Sequence, residues 1–313
     1  MTAPASPLGP APQSAATGSI YDLGYRGYDG PRYGRLTVTL GLLRQTLQEA
    51  YGIGRGGRAK VAPFLLLILN TLPALLAVGI TALVNQAGAA QALENGMPIR
   101  HDSYQSLTST LVMLFCAAQA PELFGRDQRY GVLPLYFSRV LTRVDYALAR
   151  TGGIFLAVLI ITLVPQIVLS VGGILAAPDP ISGIQKDLPE VPKYLAVSVL
   201  ASGMLAGIAA FVAAFTPRRA YATATIIGAF ILPPVIVGVI GALAVGDVAR
   251  ALHLLSPGDV IEGLNAAIFG VLAVASDIVM QAALPGWVYV VTAIVLILAT
   301  LGLVVRRYQT VSV

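Results

Sequence analysis

A phosphate-binding loop needs a lysine behind a glycine turn and ahead of Ser or Thr, so that backbone amides and the ammonium surround the phosphates. None of the three lysines, Lys60, Lys186 and Lys193, stands in that setting. ATP hydrolysis by a P-loop mechanism is therefore not expected of this chain, and it is not read as an enzyme. Gly52, Gly54 and Gly57 do match G-x-G-x-x-G. No strand precedes them and a lipid-soluble run comes after, which argues against a dinucleotide-binding βαβ unit. Neither H-E-x-x-H nor G-x-S-x-G occurs. His101 and His253 read as solvated residues of outer loops. Together with the single Cys116 they form no metal-ligand cluster, and one cysteine makes no intrachain disulfide. No catalytic residue, metal site or cofactor is assigned to the chain.

The elements behind these residues are set by composition. Of 313 residues, 56% are apolar and only 11% are charged, against about 25% charged in a soluble domain. The mean hydropathy is +0.78. So little charge leaves lipid as the solvent for most of the chain. Six apolar runs of bilayer length stand out, at about 61–84, 106–123, 147–176, 195–215, 220–245 and 287–305. Pro73, Pro165 and the pair Pro233–Pro234 fall inside them as expected kinks, and Pro121–Glu122 end the second. Residues 1–19, rich in Pro, Ala, Ser and Gly without an apolar run, read as a disordered tail and not a signal peptide. Leu36, Leu40, Leu43, Leu47 and Ala50 share one helical face, which predicts an amphipathic helix lying in the membrane interface within a cytoplasmic segment, 20–60.

The run 266–283 is apolar enough for a seventh span, but Asp277 interrupts it. A charge at the bilayer centre costs about 2.5–3.5 kcal/mol. With six spans and both termini inside, sixteen of the twenty Lys and Arg lie on the inner side, in accord with the positive-inside rule. A seventh span would move Arg306 and Arg307 out. Residues 259–285 are therefore read as an outer-side or re-entrant helical segment. The fold class is an all-α membrane protein with six transmembrane helices, the N-terminal interfacial helix and this segment between spans five and six.

Mid-membrane acids, the mark of ion coupling, are missing from five of the six spans. Ser109 and Gln119 in span two and Thr223 and Thr225 in span five are candidates to line a pathway, although small polar residues also mediate helix packing. The informative region lies just after span two: Glu122, Gly125, Arg126, Asp127, Arg129, Tyr130, Gly131, Pro134, Phe137 and Arg139, then Arg143, Asp145 and Arg150. Orientation explains the cations alone. Acids and aromatics among them point to a short structured element that docks on a partner, where Arg and Tyr are favoured contacts.

Two stretches, Tyr21–Arg32 with Gly34–Arg35 and the loop from Pro121 through Arg126–Asp127, Gly131 and Leu133–Leu135 to Arg150, resemble the permeases of type-2 ABC exporters. Leu255–Gly258 and Pro285–Tyr289 add to the likeness. The resemblance implies a bacterial inner-membrane permease that works with a separate ABC ATPase, which would hold ATP and Mg, and with a second permease copy or paralogue. It implies that the loop after span two holds a coupling helix, with Glu122, Arg126, Asp127, Arg129, Tyr130 and Gly131 as coupling residues. It also implies that spans two and five face each other across the pathway; the apolar spans suit a lipid-like, antibiotic or other amphipathic cargo, although lipid requires apolar spans in any case. No nucleic acid is expected as a partner. A stand-alone secondary transporter or channel, and a membrane enzyme, are the alternatives.

Overall fold

The computed structural model describes residues 30, 33–88, 98–138, 140–177, 179–243, 247–270 and 284–310. The chain divides into two units, Met1–Tyr33 and Gly34–Val313. Only Gly30 and Tyr33 of the first belong to the described residues, so residues 1–19, read above as a disordered tail, and most of the Tyr21–Arg32 stretch lie outside them.

The second unit is helical, without strands, among the described residues. Its helices are α1 (Arg35–Ala50), α2 (Gly57–Gln86), α3 (His101–Arg129), α4 (Leu133–Phe137), α5 (Arg143–Ala176), α6 (Pro180–Asp187), α7 (Val191–Phe215), α8 (Arg219–Leu243), α9 (Asp247–Leu252), α10 (Pro257–Phe269) and α11 (Gly286–Thr310). A 3₁₀ turn, His253–Leu255, joins α9 to α10. Six of the helices, α2, α3, α5, α7, α8 and α11, are long and apolar enough to cross a membrane.

Helix α5 is the hub: α1, α2, α3, α6, α7 and α11 all pack on it. In lipid the apolar effect between helices is weak, so close packing and hydrogen bonds must fix the register. Two asparagines of α2 do this. Asn70 Nδ2 donates to the Ile161 carbonyl at 2.8 Å, and Asn85 Nδ2 donates to the Ala176 carbonyl at 2.6 Å. Both pairs advance by fifteen residues, so α2 and α5 run parallel in constant register. Glycine supplies the closest approaches. A Cβ at Gly153 would meet Thr46 Cβ at 2.5 Å, which seats α1 against α5.

The amphipathic reading of α1 meets a rotation. Leu42, Thr46 and Ala50 turn inward onto α5, whereas Leu36 and Leu40, placed on one face with Ala50 by spacing, are exposed. Span two also departs from its expected end. Pro121 does not stop α3, which runs on to Arg129. Pro121 is buried among packed helices, where a missing backbone hydrogen bond is tolerated. Glu122–Arg129 of the segment read as a loop are thus the last turns of a long helix. Of residues 259–285, Asp259–Phe269 belong to α10, which ends at Gly270 with φ 71°. Thirteen residues reach ~20 Å, short of the roughly 30 Å hydrocarbon core. Asp277 lies outside the described residues.

Candidate functional site

The arginine-rich end of the bundle is built where α3 finishes, α5 begins and α1 leans on both. Helix α3 is closed by Gly131 at φ 63°, with the Gly131 N–H donating to the Gln128 carbonyl at 3.3 Å and the Val132 N–H to that of Asp127 at 3.1 Å. A left-handed residue at this point favours glycine, and the double bond caps the helix. Leu133–Phe137 form the one-turn α4. Thr142 and Asp145 then make a capping box that starts α5.

Helical spacing divides the expected coupling residues into two sets. Arg126, Arg129, Tyr130 and Gly131 are exposed, as are Pro134 and Leu135. The Arg129 guanidinium lies 5.9 Å from the centre of the Tyr130 ring. Asp127 points the other way and is buried. It accepts from Tyr146 Oη at 2.7 Å and from the Arg150 guanidinium. Arg150 is itself buried, and its Nη1 donates to Glu49 Oε2 at 2.8 Å and to Thr46 Oγ1 at 3.3 Å. Its guanidinium carbon lies 5.7 Å from the centre of the Tyr146 ring. Asp127 is therefore committed to the interior and is not part of the exposed surface.

The charges continue sideways. Arg55 reaches Glu49 at 3.8 Å and Glu122 at 3.2 Å, and Arg219 reaches Glu122 at 3.4 Å. Asp127, Arg150, Glu49, Arg55, Glu122 and Arg219 thus alternate in sign across α3, α5, α1, the α1–α2 turn and α8. One arginine between two carboxylates leaves neither acid unpaired, which a buried site requires. Burial pushes the Glu49 carboxyl up, but the charge and hydrogen bond of Arg150 outweigh it and hold it below its ordinary range. Gln128 ties the same end to α7 and α11, donating to the Ala214 carbonyl at 3.0 Å and to Tyr308 Oη at 3.1 Å. An exposed cationic and aromatic turn is thereby mounted on a cross-braced base. Such a surface is suited to docking, and the base to passing displacement into several helices at once.

The sequence placed Arg150 at the end of the charged segment after span two but gave it no partner. The available signal was a charge within an otherwise apolar stretch, which demands a partner.

Compared with known proteins, the chain matches no family model and no curated protein.

A second feature lies between α3 and α8. Ser109, Thr110, Met113, Leu114, Ile227, Phe230, Ile231, Pro234, Val235 and Gly258 line a groove of about 350 Å³. Of the four pathway candidates only Ser109 lines it, and its hydroxyl already donates to the Ser106 carbonyl at 2.9 Å. Gln119 is buried nearer the arginine-rich end of α3, Thr223 is half-buried, and Thr225 is exposed near the start of α8.

Neither histidine is a solvated loop residue. His101 opens α3, with Nδ1 2.6 Å from Gln166 Oε1 and Nε2 3.1 Å from Asp187 Oδ1, and it stacks on Tyr194. His253 is buried, with Nδ1 2.8 Å from Asp259 Oδ2. Local sequence hid both because each acid comes from a neighbouring short helix, α6 or α10. Among the described residues no group of three or more His, Cys, Asp or Glu could hold a metal.

Proposed function

We propose that this chain is the membrane-spanning permease subunit of an ATP-driven ABC exporter whose ATPase is a separate chain. The observation that carries the reading is the exposed turn of Arg126, Arg129, Tyr130 and Gly131 over the buried Asp127–Arg150–Glu49 brace. Arg and Tyr are favoured in docking surfaces. In this reading the turn and α4 contact the ATPase, which supplies the nucleotide site and Mg. Closure of the ATPase shifts the population of transmembrane arrangements. The brace passes the displacement to α1 and α5, and the Glu122–Arg219 pair passes it to α8.

The proposal places the arginine-rich end and both termini in the cytoplasm of a bacterial cell, following the asymmetry of Lys and Arg. It places α1 in the inner interface with exposed Leu36 and Leu40 toward lipid. It takes α10, the main described part of residues 259–285, as an outer-side or re-entrant helix, because Gly258 at its start lines the groove between α3 and α8 with Ser109 and Pro234. A second permease, identical or paralogous, completes the pathway for an amphipathic cargo.

The test is the composition and mass of the complex purified in mild detergent from its native cells. A P-loop ATPase present in equal number to the permease chains is expected. The chain alone, with no ATPase at any detergent strength, would overturn the proposal.

A further inference from the structure

Helix α6 partly reverses the pattern of a water-facing helix: Gln185 and Lys186 are exposed, yet the exposed side is otherwise apolar and Asp187 points into the protein. Its Oδ1 faces His101 Nε2 at 3.1 Å and its Oδ2 accepts from Ser170 Oγ. Ile181, Ile184 and Leu188 point out, at 66%, 47% and 65% exposure. Their spacing of three and four places them on one helical face.

The position of α6 along α5 explains the reversal. Gly183 lies so close to α5 that a Cβ there would meet Ile174 Cα at 3.0 Å. Asp187 meets Ser170, so α6 folds back antiparallel along the last two turns of α5. That level is still apolar on the outside: Val171 and Leu175 of α5 are exposed beside it. On α2, the constant register with α5 brings the exposed Ile80 and Leu83 to the same height. Helix α3, by contrast, begins lower. His101 stands level with Gln166, ten residues before the end of α5, or ~15 Å. The polar start of α3 is therefore overhung by α2 and α5, and α6 covers it from the side.

We infer that α6 is a lipid-facing helix, with Ile181, Ile184 and Leu188 in the acyl-chain boundary of the leaflet away from the arginine-rich end. It screens the polar cluster of His101, Gln166, Ser170 and Asp187 from lipid. The occupant of its outer face is lipid because that face continues the apolar belt of two neighbouring spans. The exposed Lys186 is long enough to carry its ammonium to the headgroups. The inference rests on the six helices crossing a membrane and not on the transport reading.

The test uses the full chain in a Trp287→Phe background, with Ile184→Trp as the reporter and Ile181→Trp as a second. Each is reconstituted into phosphatidylcholine vesicles with or without acyl-chain bromines, and iodide is added to the water. Leu76→Trp on the exposed side of α2 serves as the reference. Loss of Ile184→Trp emission to bromolipid, with little loss to iodide, is expected, and strongest for bromines near the headgroup. Loss to iodide alone would place α6 in water and overturn the inference. Loss to neither, while Leu76→Trp is quenched by bromolipid, would mean that protein covers the face, and would also overturn it. If Leu76→Trp itself escapes bromolipid, the membrane-crossing reading fails first.

Discussion

The Arg150 guanidinium of α5 reaches Glu49 of α1 at 2.8 Å, joining positions 101 residues apart in a part-buried ion pair. Through the same guanidinium Asp127 of α3 is joined as well. Three elements thus share one cation directly beneath the exposed turn.

Replacing Arg150 by Met leaves the buried Asp127 without its cation and the part-buried Glu49 with only Arg55 at 3.8 Å. A loss of roughly 3–5 kcal/mol is expected, the usual cost of breaking a buried pair from one side. Arg150→Lys should recover only part, since one ammonium does not span two carboxylates as the guanidinium fork does. Thermal unfolding of the purified protein in detergent measures both. Adding Glu49→Gln and Asp127→Asn to Arg150→Met should cost less than the separate losses combined.

Glu49 supplies a pH dependence. Its carboxyl lies below the ordinary value of 4.5 in the folded protein, so the unfolded chain binds the proton more readily. The stability it contributes is fully present above the ordinary value and is lost as pH falls through the lowered folded one. Melting temperature should therefore drop in the acid range below about pH 4.5. Glu49→Gln should be less stable at neutral pH and show a shallower acid slope; an unchanged slope would remove Glu49 from the brace.

Gly153 has no room for a side chain, with Thr46 Cβ at 2.5 Å and the Leu43 carbonyl at 3.1 Å from a built Cβ. Gly153→Val should push α1 off α5 and leave the α2–α5 register intact, because the Asn70 and Asn85 bonds lie on another contact. Faster amide exchange confined to α1 and the turn after it is the expected signature. Uniformly faster exchange would mean that α1 is integral to the whole bundle.

Arg126→Glu with Arg129→Glu changes only exposed side chains, and reversing the two cations of the last turn of α3 should cost no more than about 1–2 kcal/mol. On the proposed exporter reading, recovery of a partner ATPase with the purified chain should fall sharply. Full recovery with unchanged stability would move the docking surface elsewhere. Asp127→Asn should do the reverse, lowering stability first, because that carboxylate is turned inward.

The six spans were legible in the sequence because a bilayer imposes length and apolarity on each helix separately, and both are written locally along the chain. A long apolar helix stands at each of the six runs, and α3 and α11 extend six and five residues past the expected ends. In α3 Pro121 reads as a terminator, and only neighbouring helices make its missing hydrogen bond tolerable. The exposed half of the site, Arg126, Arg129 and Tyr130, was legible for the same local reason, as a mixed charged and aromatic segment.

What the tertiary structure alone decided is which charges meet. Asp127 and Arg126 are adjacent in sequence and opposite in role, since one helical step of about 100° turns one inward and the other out. Arg150, Glu49 and Asp127 find one another only when three helices are set in register, and His101 finds Asp187 only when α6 folds back on α5. Composition fixes the solvent of a membrane chain, because transfer into lipid sums over residues. Ion pairing depends on distances of a few ångströms between elements far apart in sequence, and these exist only once the helices have packed.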